Sequence, residues 1–153
     1  MPIDLKQAIT ELGGTTPVWV AVKALTTSDT NPKLGRLFIP PCGETLEEFL
    51  TAEEKEKLIN LIDDSKGLKA LVVDTSGQQF DIDLRIWGSF SNYVLARNRN
   101  KMVKRMEMKP KSDAVQLWCF RLPAKQDSKL CFATNIERGD RNTEEDILEA
   151  LPA

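Results

Sequence analysis

Between residues 85 and 111 the chain carries eight cations, Arg85, Arg97, Arg99, Lys101, Lys104, Arg105, Lys109 and Lys111, against the single acid Glu107. The segment has a net charge of +7 in a protein whose formal total is −2 and whose pI is near 5.3. Phosphate is the common polyanion that such a density of lysine and arginine suits, because each phosphate neutralised releases condensed counterions. Beside the run lies GSFSN, flanked by Trp87 and Tyr93. Ser89, Ser91 and Asn92 have the donors and acceptors that base edges require. A second loop, TTSDTNPKLG, carries Lys33 and leads into Arg36. The plain alternative for the basic run is a solvated helix face.

Other chemistries are removed by what the chain lacks. It has no histidine, which excludes a Ser-His-Asp triad, a His-paired cysteine and every His-ligated metal site. Its three cysteines, Cys42, Cys119 and Cys131, show no CxxC spacing, so reduced thiols are expected rather than a disulfide framework or zinc. Cys119 and Cys131 sit inside apolar runs and read as core. A nuclease would need carboxylates gathered around Mg²⁺, and nothing in the spacing aims Asp81 and Asp83 at Glu53 and Glu54. No cofactor and no catalysis are expected. Met1 to Leu12 lacks the basic lead and apolar run of a signal peptide, and no apolar stretch is long enough to span a bilayer. A single intracellular domain is the expectation at this length of 153 residues.

The elements that would position these groups are mostly strands. VWVAVKAL from Val18 is apolar and β-branched, as is RLFIP from Arg36, which the Pro40–Pro41 pair stops. Residues 26–35 crowd turn-forming types together and predict a loop. From Thr45 the period changes to an amphipathic helix, possible as two helices broken near Thr51, with Glu48 three residues after Thr45 as a capping box requires. LKALVVD, FDIDLRIW and YVLA predict three more strands, the second with Phe80, Ile82, Leu84 and Ile86 on one face and Asp81, Asp83, Arg85 and Trp87 on the other. NRNKMVKRME predicts a short helix with Met102, Val103 and Met106 on one side. VQLWCFRL and KLCFATNI predict a last strand pair. Strands in both halves of the chain without βαβ alternation imply a mainly antiparallel barrel with a helix at each open end.

The order LTTSDTNPKLGRLFIP, FLTAEEKEKL, FDIDLRIWGSFSNYVLARNRNKMVKRMEM, SDAVQLWCFR and KLCFA resembles a plant B3 DNA-binding domain, and within that group the divergent subgroup with an FLTEEEK-like insert. The resemblance runs from about Val22 to Ala133. It implies an all-β fold with two short helices, a seven-stranded open pseudobarrel that grips the DNA major groove with two arms. By motif the N-terminal arm is the loop from Ser28 to Arg36, with Lys33 and Arg36 as contacts. The C-terminal arm is Trp87 to Asn92, with Arg85 before it and Arg97, Arg99, Lys101, Lys104 and Arg105 placed to meet phosphates. Three positions depart from the usual pattern. Gly88 stands where many members have Asn, Asn98 and Arg99 replace a Gly-Trp pair, and Ser112 and Asp113 replace a Gly-Asp turn.

The implied function is sequence-specific binding of double-stranded DNA in the nucleus, as the domain of a plant transcription factor, with other nuclear proteins as further partners and no membrane or metal. A protein-interaction module that has kept the fold without tight DNA binding is the alternative. The expected organisation is an N-terminal extension over 1–17, the B3-like domain over 18–136 and an acidic tail over 137–153. Several residues have a second reading: Trp87 as packing, Arg36 as the ion-pair partner of an acid in the 44–56 helix, and Ser28 and Asp29 as turn caps. Trp19 and Trp118 are expected in the core.

Overall fold

The computed structural model describes residues 1–40, 43–59, 67–86, 93–125 and 128–139. Seven strands form one sheet in the order β1-β6-β7-β3-β4-β5-β2, with β1 Val18–Ala24, β2 Leu37–Phe38, β3 Leu68–Val73, β4 Gln79–Ile86, β5 Tyr93–Ala96, β6 Ala114–Leu122 and β7 Lys129–Glu137. Every pairing is antiparallel except β3 with β7, where Leu71, Val72 and Val73 stand beside Cys131, Phe132 and Ala133. β1 and β2 are the two edges. Val20 of one edge and Leu37 of the other nevertheless belong to the same buried cluster, so the sheet is rolled around a shared interior and left open.

That interior is built by the alternation visible in the sequence. Phe80, Ile82 and Leu84 of β4 point inward with Val115, Leu117 and Cys119 of β6. Helix α5, Arg99–Arg105, adds Met102 from its apolar side, followed by Met106 and Met108. Helices α3, Gly43–Phe49, and α4, Ala52–Ile59, contribute Leu46 and Leu58, with Leu50 between them. Full burial of each large aliphatic side chain is worth about 1.5–3 kcal/mol.

The sequence reading leaves the outer face of the sheet unaccounted for. Helix α1, Ile3–Leu12, ends on Gly13, whose φ of +81° suits a residue without Cβ and whose N–H caps Ile9 and Thr10. Its Leu5 and Ile9 are buried against Trp118, Phe120, Leu122, Cys131 and Ala133, with Ala8 and Leu12 at the margin. β6 and β7 are therefore covered on both faces.

Four local expectations change. The 26–35 segment contains one helical turn, α2, Thr27–Thr30, whose N-cap Thr26 exchanges hydrogen bonds with Asp29; the turn-capping reading of Asp29 holds, and its side chain is buried. The helix after Pro41 is two helices, and the capping box lies at the second. Thr51 N donates to Glu54 Oε1 at 2.9 Å and Glu54 N to Thr51 Oγ1 at 3.1 Å, whereas Thr45 falls inside α3. Asp83, expected on the solvent side of β4, is buried. Trp19, expected in the core, is 45 % exposed, because a register shift between Trp19 and Ala21 sends Val20 and Ala21 both inward. Its ring meets Trp118 edge-on at 5.2 Å.

Candidate nucleic-acid interface

The segment Arg97–Asn98–Arg99–Asn100 joins β5 to α5, and three basic parts of the chain meet around it. Arg97 and Asn98 both have positive φ, 51° and 56°. Asparagine is among the few residues that enter the left-handed region readily, which is the physical reason it can stand where a glycine is usual. The pair of left-handed residues turns the chain out of the strand and into the helix. Asn98 Nδ2 fixes this turn by donating to Asp81 O at 2.7 Å.

On one side of the turn lie Arg85 and Arg97, both held by Asp83. Arg85 Nη2 reaches Asp83 Oδ2 at 3.2 Å, and Arg97 Nε reaches Asp83 Oδ1 at 3.1 Å. The carboxylate is 5 % exposed while the two guanidinium side chains are 27 % and 41 % exposed, so a buried anion aims two partly solvated cations outward. Gly67 makes the cover over Asp83 possible, since a Cβ there would lie 2.6 Å from the Leu84 carbonyl oxygen and from Arg85 Cγ. β4 and β5 pair up to Ile86 and Tyr93, which puts both ends of the 87–92 connection beside this pair. Trp87, Ser89, Ser91 and Asn92, together with the Gly88 departure, lie outside the described residues. Tyr93 donates to Glu47 Oε2 at 3.1 Å; burial, then the charge and hydrogen bond of Glu47, push its pKa up to about 12.

Beyond the turn, α5 presents Lys101, Lys104 and Arg105 to solvent, with Lys109 and Lys111 following in the next turn, also exposed. That turn is tied to the base of the N-terminal loop, because Lys111 N donates to Leu25 O at 2.9 Å and Leu25 N to Asp113 O at 3.0 Å. Asp113 is buried and accepts from Lys109 N and Arg138 Nη1, so the acid at this departure from the usual turn has a structural task. Arg138 also donates to Met106 O and Glu107 O, the carbonyls at the end of α5.

The third part is the loop over residues 31–36. Lys33 is exposed at its crest and Arg36 is half-buried at its end. Arg99, expected at the surface, is instead 1 % exposed. Its Nη2 donates to Asn31 O at 2.9 Å and Arg36 O at 3.3 Å, and its Nη1 to Asn100 Oδ1 at 2.8 Å. Burial lowers its pKa, opposed by the charge of Asp29 and reinforced by that of Arg36. A phosphate contact by Arg99 is thus replaced by a grip on the loop's backbone, because spacing alone puts it on the same helix side as Met102, Val103 and Met106. Sequence reasoning also missed Asn100, whose Nδ2 donates to Pro32 O at 3.0 Å, and the organising role of Asp83.

The carboxylates considered for metal chemistry are engaged elsewhere. Asp83 serves two arginines, and Glu54 forms a two-pronged pair with Arg121 at 2.6 and 2.7 Å. Cys119 and Cys131 are fully buried, and burial raises both thiols to about 12. They stay protonated at neutral pH.

The sequence matches the family described as B3 domain-containing protein At2g31720-like over residues 1–138. It is 35 % identical over 94 residues to the Arabidopsis thaliana B3 domain-containing protein At1g05930, covering 60 % of this chain and 27 % of that protein. The chain therefore spans about a quarter of the length of that curated relative. Among solved structures it is similar to the Arabidopsis FUS3-DNA complex, with a TM-score of 0.53 and 16 % identity over 80 % of this chain and 99 % of the other. At that identity the likeness concerns the fold, and it agrees with the open seven-stranded barrel described above.

Proposed function

Because the chain belongs to the B3 domain-containing family of the At2g31720-like kind, we propose that it binds double-stranded DNA as a domain of a nuclear transcription factor. The observation that carries this reading is the convergence on residues 97–100 of three cation-bearing parts: the loop with Lys33, the Arg85–Arg97 pair beside 87–92, and α5 with Lys101, Lys104 and Arg105. The solved structure it resembles is a DNA complex, which supports the same ligand. Lys101, Lys104 and Arg105 meet phosphates and supply affinity without sequence preference. The 31–36 loop and the 87–92 connection enter the major groove, which is about 12 Å wide and admits projecting segments where a barrel wall does not fit. Lys33, Arg36, Ser89, Ser91, Asn92 and Trp87 are the proposed contacts there.

The test is selection of bound oligonucleotides from a random duplex pool, followed by salt titration of the enriched duplex. Lys101→Ala/Lys104→Ala/Arg105→Ala weakens all duplexes alike and lowers the slope of log K against log salt by up to about 0.9 per lost contact. An unchanged slope removes the helix from the interface.

A second reading, a protein-interaction module, is favoured by the edge strand β1, where Val18, Trp19 and Val22 are 39 %, 45 % and 47 % exposed. An apolar edge of this kind suits a protein partner. Failure of the parent protein to retain any duplex at low salt selects it.

A further inference from the structure

We propose that Arg99 and Asn100 form a latch that sets the 31–36 loop against α5 before DNA arrives, making them positioning residues for specificity rather than phosphate contacts. The inference rests on the DNA-binding reading for its purpose, but the latch itself is a property of the free protein. Within the loop the backbone is tied by short-range bonds: Leu34 N to Asn31 O at 3.0 Å and Lys33 N to Asn31 Oδ1 at 2.9 Å. Such bonds shape a turn without fixing its direction relative to the barrel. The direction comes from α5. Arg99 Nη2 bridges Asn31 O and Arg36 O, the carbonyls at the two ends of the loop, while Asn100 Nδ2 takes Pro32 O between them. Arg99 also orients its partner, because its Nη1 donates to the Asn100 amide oxygen.

A guanidinium is suited to this task, since its planar fork reaches more than one acceptor at once and stays charged when buried. Hydrogen bonds from a charged donor are stronger than neutral ones, and with the side chain 1 % exposed little water competes. The base of the loop is held separately, by the Thr26–Asp29 box and by Lys23 Nζ at 3.6 Å from Asp29. Lys33 is thus carried on a loop fixed at its base and at both ends, at a set distance from Lys101 and Lys104. A contact presented in the right place before binding loses less conformational freedom on binding.

Hydrogen exchange at the Leu34 amide of the free protein tests the latch directly, because that N–H shares the Asn31 carbonyl with Arg99. In Arg99→Met, which keeps much of the bulk without the donors, and in the milder Asn100→Ala, protection at Leu34 falls at least about tenfold while amides of β3 and β6 keep theirs. Arg99→Lys, which keeps the charge but cannot span two carbonyls, falls between. On DNA the preferred-over-scrambled ratio drops roughly tenfold, the order of one lost specific contact, with the salt slope unchanged. Unaltered Leu34 protection in both variants overturns the latch. A salt slope lower by about 0.9 in Arg99→Met, with the loop still protected, instead makes Arg99 a phosphate contact. If the parent protein binds no duplex, the DNA reading and the specificity role fail together, and the exchange result alone decides whether the loop is latched.

Discussion

Glu54→Gln isolates one ionic contact that joins the helices to the sheet. Arg121 lies on β6 and reaches across to the start of α4, where Nη1 and Nη2 meet the two Glu54 oxygens at 2.6 and 2.7 Å. The side chains are 12 % and 14 % exposed, so solvent screens the pair little. The same guanidinium donates to Phe49 O at 3.0 Å and Ser128 O at 3.2 Å and lies 4.8 Å from the centre of the Phe49 ring. Breaking a buried pair by removing one partner costs about 3–5 kcal/mol. Gln keeps the capping geometry and can still accept one bond, and the carbonyl partners remain, which brings the expected cost to about 2 kcal/mol. For a chain of this size that is a fall in Tm of about 4–8 °C.

The pH dependence supplies the sharper check. Burial raises the Glu54 pKa, but the Arg121 hydrogen bonds, the Thr51 backbone N–H and the Arg121 charge outweigh it and leave the carboxyl below its ordinary value. A carboxyl with a depressed folded pKa contributes stability that is complete above the unfolded value, about 4.3, and is lost as pH falls through the folded one. Urea midpoints for parent and variant should therefore differ by a constant amount from pH 7 to 5 and converge toward pH 2. A difference below about 0.5 kcal/mol at pH 7, the scale of an exposed pair, or one that persists unchanged into acid, refutes the reasoning.

Gly67→Ala forces a Cβ against the Leu84 carbonyl oxygen and Arg85 Cγ, both 2.6 Å away. It should cost about 1–3 kcal/mol in urea unfolding and weaken duplex binding by disturbing the Arg85–Asp83 pair; full stability in the variant contradicts the close approach. Removing residues 140–153 while keeping Arg138 takes away five acids and one base, moving the net charge from −2 to +2. Duplex affinity should rise several-fold at low salt and the gain should vanish at high salt, whereas equal affinity at low salt shows that the tail charge does not act on the basic face.

The strands were legible because half-buried and buried strands write their faces directly into composition, and FDIDLRIW and the two terminal apolar runs give nearly the observed limits. Helix α1 was missed although its signal was present. Leu5, Ala8, Ile9 and Leu12 follow helical spacing and Gly13 follows as a cap. The near-continuous apolar runs of β6 and β7 also state that both sheet faces are covered, as strands buried on one side alternate. The capping box went to the wrong threonine because Thr45–Glu48 and Thr51–Glu54 both satisfy the pattern, and only the break at Leu50 selects the second.

The site was legible as charge and illegible as geometry. Counting cations cannot distinguish Arg99 from Lys101, yet Arg99, Met102, Val103 and Met106 fall at i, i+3, i+4 and i+7, the spacing of one helix face. A charged residue on an apolar stripe was the available clue. Its position also explains a departure from the family pattern: where a tryptophan is usual, a second large side chain fills the same kind of buried position and adds hydrogen bonds. Asp83 carried no clue, because strict alternation places it outward, and only the cover at Gly67 encloses it.

The single parallel pairing has a consequence for the order in which the protein can be completed during synthesis. β3, β4, β5 and β2 arise from residues 37–96, whereas β1 waits for β6, and β6 is joined to that first group through β7. The seam is closed by Cys131, Phe132 and Ala133, almost the last residues of the described chain. Until these leave the ribosome, the edge of β3 is unpaired and β1 has no neighbour, although both have already been made. Contacts between residues so far apart in sequence form slowly, and unpaired strand edges invite association between chains. A nascent chain stalled before β7 would therefore present two open edges at once, making the final strand the step at which the protein passes from vulnerable to sealed.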